Sequence, residues 1–183
     1  MTEICKVWTV SGTMRTDSSL NLIGCLPVDV ESEVVKERDT MKFTLGGKEH
    51  ERIEVDVAGY EREPVGEFYS DNLLPVTVSV KVGGFFGRFT AEFMSGDFSS
   101  FLTQLNDLYE TLSGTAEFNT IEGQLFLVAE GDGKGHIDVH GEARDGVGTG
   151  NQLLFELALD QTQLAQTIKE LKNIVAEYPL RNE

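Results

Sequence analysis

Residues 97–114 read DFSSFLTQLNDLYETLSG, and their spacing decides the fold class. Phe98, Phe101, Leu102, Leu105, Leu108, Tyr109 and Leu112 recur at intervals of three and four, so they share one face of a helix. Ser95 or Asp97 can cap its start, because a side-chain oxygen there satisfies a free amide. Gly114 suits a left-handed stop. Burying one large apolar side chain stabilises a fold by ~1.5–3 kcal/mol, so this face needs something to cover.

The segments on either side alternate with a period of two, the signature of half-buried strands. Upstream, a short strand begins at Met41, with Phe43 and Leu45 on one face, and Gly46-Gly47 turns the chain. ERIEVDVAGY (51–60) follows, then a polar loop at 61–72. PVTVSVKV (75–82) and FFGRFTAEFM (85–94) read as a hairpin turning at Gly83-Gly84, with Gly87 a candidate bulge. The phenylalanines at 85, 86, 89 and 93 read as core.

Downstream come TAEFNT (115–120), QLFLVAE (124–130), HIDVHGEA (136–143) and LLFELAL (153–159). The last element, DQTQLAQTIKELKNIVAEYP (160–179), is a second helix. Asp160 and Gln163 have capping-box spacing. Leu164, Ile168, Leu171, Val175 and Tyr178 form its stripe, and Pro179 ends it. Tight turns between strands favour antiparallel pairing. The expected architecture is α+β: a mainly antiparallel β-sheet with two amphipathic helices packed on its apolar face.

The first 40 residues hold both cysteines (Cys5 and Cys25) and the only tryptophan, Trp8, and show no clear period. They read as an N-terminal extension to a single domain at 41–183. Lys36-Glu37 can be encoded as a ribosome-binding sequence just upstream of the Met41 codon, which makes Met41 the expected start. A genuine extension with a short strand at 18–30 is the competing reading.

Composition narrows the function. The chain carries 31 acidic and 15 basic residues, net −16, which disfavours direct nucleic-acid and anionic-membrane contact and draws in cationic partners. Acidity for solubility is the plain alternative. No apolar run approaches the ~20 residues that span a bilayer, and the N-terminus lacks a secretory pattern, so the expected compartment is the cytoplasm. Two scattered cysteines make neither a disulfide scaffold nor a zinc site. Gly131-Asp132-Gly133-Lys134-Gly135 is glycine-rich but lacks a following GKS or GKT, so it reads as a hairpin loop and not a phosphate cradle. Neither a nucleophile elbow nor an HExxH motif occurs, so no catalytic, cofactor or metal residue is assigned.

One octet, GHIDVHGE (135–142), sets His136, Asp138, His140 and Glu142 on one strand face. Same-face neighbours stand ~6.5–7 Å apart, so His136, Asp138 and His140 could share a metal. The only other histidine is His50. Alternation alone also puts four polar residues there, as the wet side of a strand or as a partner-binding face.

The body resembles the WapI-type immunity proteins of bacterial toxin systems. The stretches that carry this are IEVDVAGYE (53–61), EFYSDNLLPVTVSV (67–80), the helix with its flanking strands (85–118), GHIDVHGEA (135–143) and LLFELALDQTQLAQTIKELKNIVAEYP (153–179). The resemblance covers about residues 42–179. The family often shows Asp-x-Asn-Trp-Leu after the polar loop. Here the chain reads Ser70-Asp71-Asn72-Leu73-Leu74, with leucine in place of the tryptophan. The resemblance implies a non-enzymatic inhibitor that binds the C-terminal toxin domain of a cognate contact-dependent toxin. In WapA systems such domains include tRNA-cleaving nucleases, whose phosphate-binding clefts are basic. From charge and expected exposure, the candidate toxin-binding residues are Glu61, Glu63, Glu67, Tyr69 and Asp71 in the loop, with Asp138, His140 and Glu142 on the octet face. The competing readings are a metal-binding or hydrolytic domain using His136, Asp138 and His140, and an adaptor domain with no toxin.

Overall fold

The computed structural model describes residues 41–47 and 51–181. The expectations placed on residues 1–40 and on His50 lie outside the described residues. Among the described residues, eight strands form two antiparallel four-stranded sheets, each a meander in chain order. The first sheet contains β1 (Met41–Gly46), β2 (Arg52–Val57), β3 (Leu73–Val82) and β4 (Phe85–Met94). The second contains β5 (Ser113–Asn119), β6 (Leu125–Asp132), β7 (His136–Arg144) and β8 (Gln152–Asp160). The antiparallel α+β class expected from the turns is present, with the strands shared between two sheets. Among the described residues, no helix is long and apolar enough to cross a membrane.

Among the described residues, three helices accompany these strands. One short turn, α1 (Phe68–Asp71), sits inside the polar loop. Helix α2 (Ser95–Thr111) links the sheets, and α3 (Gln161–Glu177) follows the last strand. Helix α2 buries Phe98, Phe101, Leu105 and Leu108. Helix α3 buries Leu164, Thr167, Ile168, Leu171 and Ile174, so Ile174 takes the inward position and Val175 is half-buried. The inner faces of both sheets and both long helices share one core. Its centre is aromatic. Phe118 of β5 lies 5.9 Å from Phe43, 5.5 Å from Phe93, 5.6 Å from Phe98 and 5.2 Å from Phe101, ring centre to ring centre. The contacts with Phe43, Phe93 and Phe98 are edge-to-face and that with Phe101 is tilted. An edge-to-face pair adds ~0.5–1.5 kcal/mol beyond area burial.

The ends of α2 differ from their expected form. Met94 stands at the N-cap, and the Asp97 carboxylate accepts its N–H at 3.0 Å. The Ser95 hydroxyl donates to Asn72 instead, at 3.1 Å. The left-handed stop falls on Leu112 (φ 59°), because Gly114 is already paired with Gly131 in the second sheet. The Leu112 carbonyl accepts the N–H of Gly133 at 2.7 Å. A Cβ on Gly131 would stand 2.4 Å from that carbonyl oxygen, so glycine there lets the helix end reach the strand. At α3 the expected capping box forms: Asp160 accepts from Thr162 and Gln163, and the Gln163 side chain accepts the N–H of Asp160.

Strand β4 corrects two expectations. Gly87 pairs with Val80 in regular register, so the turn is the two residues Gly83-Gly84 without a bulge. Phe93 is buried and Phe89 packs partly on the core, but Phe85 and Phe86 are exposed. They flank the hairpin turn, where nothing among the described residues packs closely enough to shield them.

The octet strand has its own steric constraint. Gly141 lies opposite Phe155, whose ring occupies the space that a Cβ on Gly141 would take, at 2.1 Å. A ring laid over a glycine across two strands fixes their register. Gly141→Ala must push the Phe155 ring out of the core, at a cost of about 1–3 kcal/mol for overpacking. Urea denaturation should show this loss, and Phe155→Leu in the same chain should recover part of it. Additive effects of the two substitutions would contradict the contact.

Candidate functional site

The pairing register builds the outer face of the second sheet row by row. Thr115, Glu130, Asp138 and Ala158 make one row across the four strands. Glu117, Val128, His140 and Glu156 make the next, then Asn119, Phe126, Glu142 and Leu154. The five carboxylates of Glu117, Glu130, Asp138, Glu142 and Glu156 thus share a face that carries no lysine or arginine in these rows. Glu130 stands directly opposite Asp138, an arrangement that weakens a sheet. Among the described residues, close partners of these carboxylates lie at one side: Arg144 donates to Glu142 at 2.6 Å, and His140 Nδ1 lies 3.5 Å from Glu156, an ion pair only with a protonated imidazole. Both pairs are solvent-exposed enough for water to screen them.

The outer face of the first sheet is different. Its rows mix Lys42, Arg52, Lys81 and Arg88 with Glu54, Asp56 and Glu92. Lys42 pairs with Glu54 at 3.0 Å. Acidity is therefore not spread evenly over the two sheets.

His136, Asp138 and His140 alternate outward as the sequence suggests. Among the described residues, no three histidine, cysteine or carboxylate side chains come close enough to hold a metal ion. His136 stands opposite Asp160, and that carboxylate is committed to capping α3.

In the polar loop, Glu61, Glu63 and Glu67 are exposed, and so is Tyr69 at 65%. Asp71 is not a surface residue, which corrects its place among the contact candidates. It is 1% exposed, and its carboxylate accepts the N–H groups of Val65 (2.9 Å), Gly66 (2.7 Å) and Glu67 (2.9 Å). Arg62 lies 3.7 Å away. The Val65 amide does most to hold the Asp71 carboxyl below its ordinary range, helped by the Gly66 and Glu67 amides and by Arg62, while burial pushes the other way. Asp71 organises the loop that displays the other acids.

Its neighbour Asn72 is fully buried and ties three segments together. The side chain donates to the carbonyls of Phe68 and Arg181, and its oxygen accepts from Ser95 and from the Arg181 N–H. The Arg181 guanidinium lies 3.3 Å from the centre of the Tyr60 ring, and the Tyr60 hydroxyl donates to the Pro179 carbonyl. The chain's C-terminal end thus clasps the loop. Leu73, where the family's tryptophan was expected, is half-buried opposite Met94 at the start of β3.

The two expected patches approach each other. Phe68 and Tyr69 line an open cavity together with Asn119 and Ile121. Asn119 begins the row that runs through Phe126 to Glu142. Sequence reasoning missed Glu117, Glu130 and Glu156. Alternation in each strand turns them outward, but only the pairing sets them beside Asp138 and His140.

A family model described as the immunity protein WapI-like family matches residues 44–179. No curated protein matches the chain. Among solved structures, that of the plant transcriptional regulator PBF-2 is similar at 10% identity and a TM-score of 0.46, covering 77% of this chain and 83% of that one.

Two carboxylates test this anatomy. A lowered carboxyl adds stability above its unfolded range and loses it as pH falls through the depressed value. Asp71→Ala should therefore speed hydrogen exchange at the Val65, Gly66 and Glu67 amides at neutral pH, and unchanged exchange would refute the organising role. Asp97 behaves oppositely, because burial pushes it up to about 6 against the pull of the Met94 N–H. The folded state then holds this proton more tightly, so stability falls as pH rises from about 4 to about 6. Asp97→Asn should match wild type near pH 4 and exceed it by about 1 kcal/mol at pH 7, allowing for screening of a half-buried group. Urea midpoints at the two pH values check this.

Proposed function

Because the chain belongs to the WapI-like immunity protein family, we propose that it binds and neutralises the C-terminal toxin domain of a cognate WapA-like bacterial toxin, a tRNA nuclease being the favoured class. The observation that carries this reading is the outer face of the second sheet. Glu117, Glu130, Asp138, Glu142 and Glu156 are gathered there without a lysine or arginine in their rows, and two of them stand opposite each other at a cost in stability. Charge needed only for solubility has no reason to segregate in this way.

The physical logic is competition with the toxin's substrate. A nuclease cleft must attract phosphates, so it presents positive charge. An acidic face is drawn to it and covers it in the manner of a nucleic-acid backbone. Binding alone suffices for inhibition, so this function assigns no catalytic residue and no cofactor to the chain. The partner is a basic protein domain met in the cytoplasm, and direct binding of nucleic acid or membrane has no part in it. Asp138, His140 and Glu142 belong to the contact face, and Glu61, Glu63, Glu67 and Tyr69 form a second patch beside it. Asp71 acts through the loop it holds. Toxin identity is read by the surface side chains, so members of one fold can serve different toxins.

Co-expression with the toxin domain encoded beside the gene should rescue growth, and the two proteins should co-purify. Replacing Glu130, Asp138 and Glu156 by lysine together should cut the association rate by tenfold or more at low salt and flatten its salt dependence. The triple lysine variant at Glu61, Glu63 and Glu67 measures the second patch separately. Wild-type association by both variants would remove the charged surfaces from the mechanism.

A further inference from the structure

Among the described residues, the two sheets have four edge strands, and their outward backbone groups are treated unequally. At β1, the Thr44 N–H donates to Glu170 of α3 at 2.7 Å, and the Thr44 carbonyl accepts from Thr167 at 2.6 Å. At β5, the Glu117 N–H donates to Gln104 Oε1 of α2 at 3.0 Å, and Gln104 Nε2 donates back to the Glu117 carbonyl at 3.4 Å. Each leading edge is thus closed in its middle by helix side chains. At β4, the Thr90 carbonyl accepts from Gln124 at 3.4 Å.

Strand β8 differs. Asp145 donates to the Asn151 carbonyl and Gln161 to the Gly135 carbonyl, and these two bonds fix the phase of the β7–β8 ladder. Antiparallel alternation then turns the N–H and C=O of Gln152, Leu154, Glu156 and Ala158 away from β7. Among the described residues, no side chain or backbone group from another element bonds to them. An edge of this kind is a template for another strand.

Its surroundings specify the occupant. On the outer side, Glu156 and the acid rows next to it face solvent, and Leu154 is 69% exposed. On the other side, Gln152 and Leu153 line a cavity of about 300 Å³ with Phe85, Phe86 and Phe89 of β4. Phe85 and Phe86 are 68% and 70% exposed. A two-fold pairing with a second copy, centred on this strand, would set Glu156 against itself and bring two chains of net −16 together, which opposes self-association. A strand alternating basic and apolar residues meets both sides: its cations face Glu156, and its apolar side chains enter the cavity beside Phe85 and Phe86.

We propose that β8 is a strand-addition site, and that the partner docks by laying an extended segment of alternating basic and apolar residues along Gln152–Ala158, against the exposed Phe85-Phe86 tip. The inference rests on the toxin-binding reading and names how that partner is held.

The test uses the full chain and the C-terminal domain of the neighbouring toxin gene, catalytically inactivated. Complex formation should slow hydrogen exchange at the Leu154, Glu156 and Ala158 amides. Ala158→Pro removes one outward N–H without touching the β7 ladder, as edge positions allow. It should weaken Kd by about tenfold, the scale of one lost hydrogen bond with some misfit. Ala158→Val keeps the N–H and should stay close to wild type. Circular dichroism confirms that both variants fold. Wild-type affinity in folded Ala158→Pro, or a complex that leaves these three amides unprotected, overturns the strand-addition site and leaves the immunity reading standing. Protection of the same amides in the isolated chain, with a doubled mass, assigns the edge to a second copy and overturns it too. Absence of any binding by the wild-type chain overturns both readings.

Discussion

The contact on which the rest of the structure depends is the packing of Phe118 against Phe43, Phe93, Phe98 and Phe101. These five rings come from β1, β4, α2 and β5, so one cluster joins the first sheet, the connecting helix and the second sheet. Neither four-stranded sheet could bury its apolar face alone. A helix inserted between them in sequence, with its own aromatic stripe, lets both faces share one core. Glycine at 131 and 141 serves the same end. The first admits the end of α2 to β6, and the second admits the Phe155 ring to β7.

That arrangement frees the opposite faces for charge. The sheet that holds the mixed pairs is balanced, while the other collects carboxylates that repel each other. A fold dominated by its aromatic core tolerates such repulsion, since each exposed pair changes stability by a few tenths of a kcal/mol up to about 1 kcal/mol. Substitutions on this outer face can therefore be accommodated while the interior stays fixed. The helices contribute in a second way. Their polar side chains close β1 and β5, which removes two of the edges that would otherwise recruit strands without discrimination.

The polar loop shows how a charged segment acquires a shape. Three backbone amides converge on the Asp71 carboxylate, and Asn72 fastens the loop to α2 and to the chain's C-terminal end. Buried polar groups of this kind are stable only when every partner is present. The exposed acids at 61, 63 and 67 are consequently presented from an ordered support and not from a free coil.

Much of this was legible in the amino-acid sequence. Alternation placed the strands, the three-and-four spacing placed both long helices, and Asp160 with Gln163 marked the start of α3, because each signal depends on residues within a few positions of each other. Exposure of His136, Asp138 and His140 followed from the same alternation. What the sequence could not decide was which segments meet. The division into two sheets, the joining of Glu117, Glu130 and Glu156 to the octet face, and the open backbone of β8 all come from pairing between distant strands. The burial of Asp71 and the exposure of Phe85 and Phe86 reverse what side-chain polarity suggests. A carboxylate goes inside where three amides converge on it, and a phenylalanine stays outside where the fold offers nothing to cover it. Those outcomes belong to tertiary structure, because both depend on neighbours that the local sequence does not name.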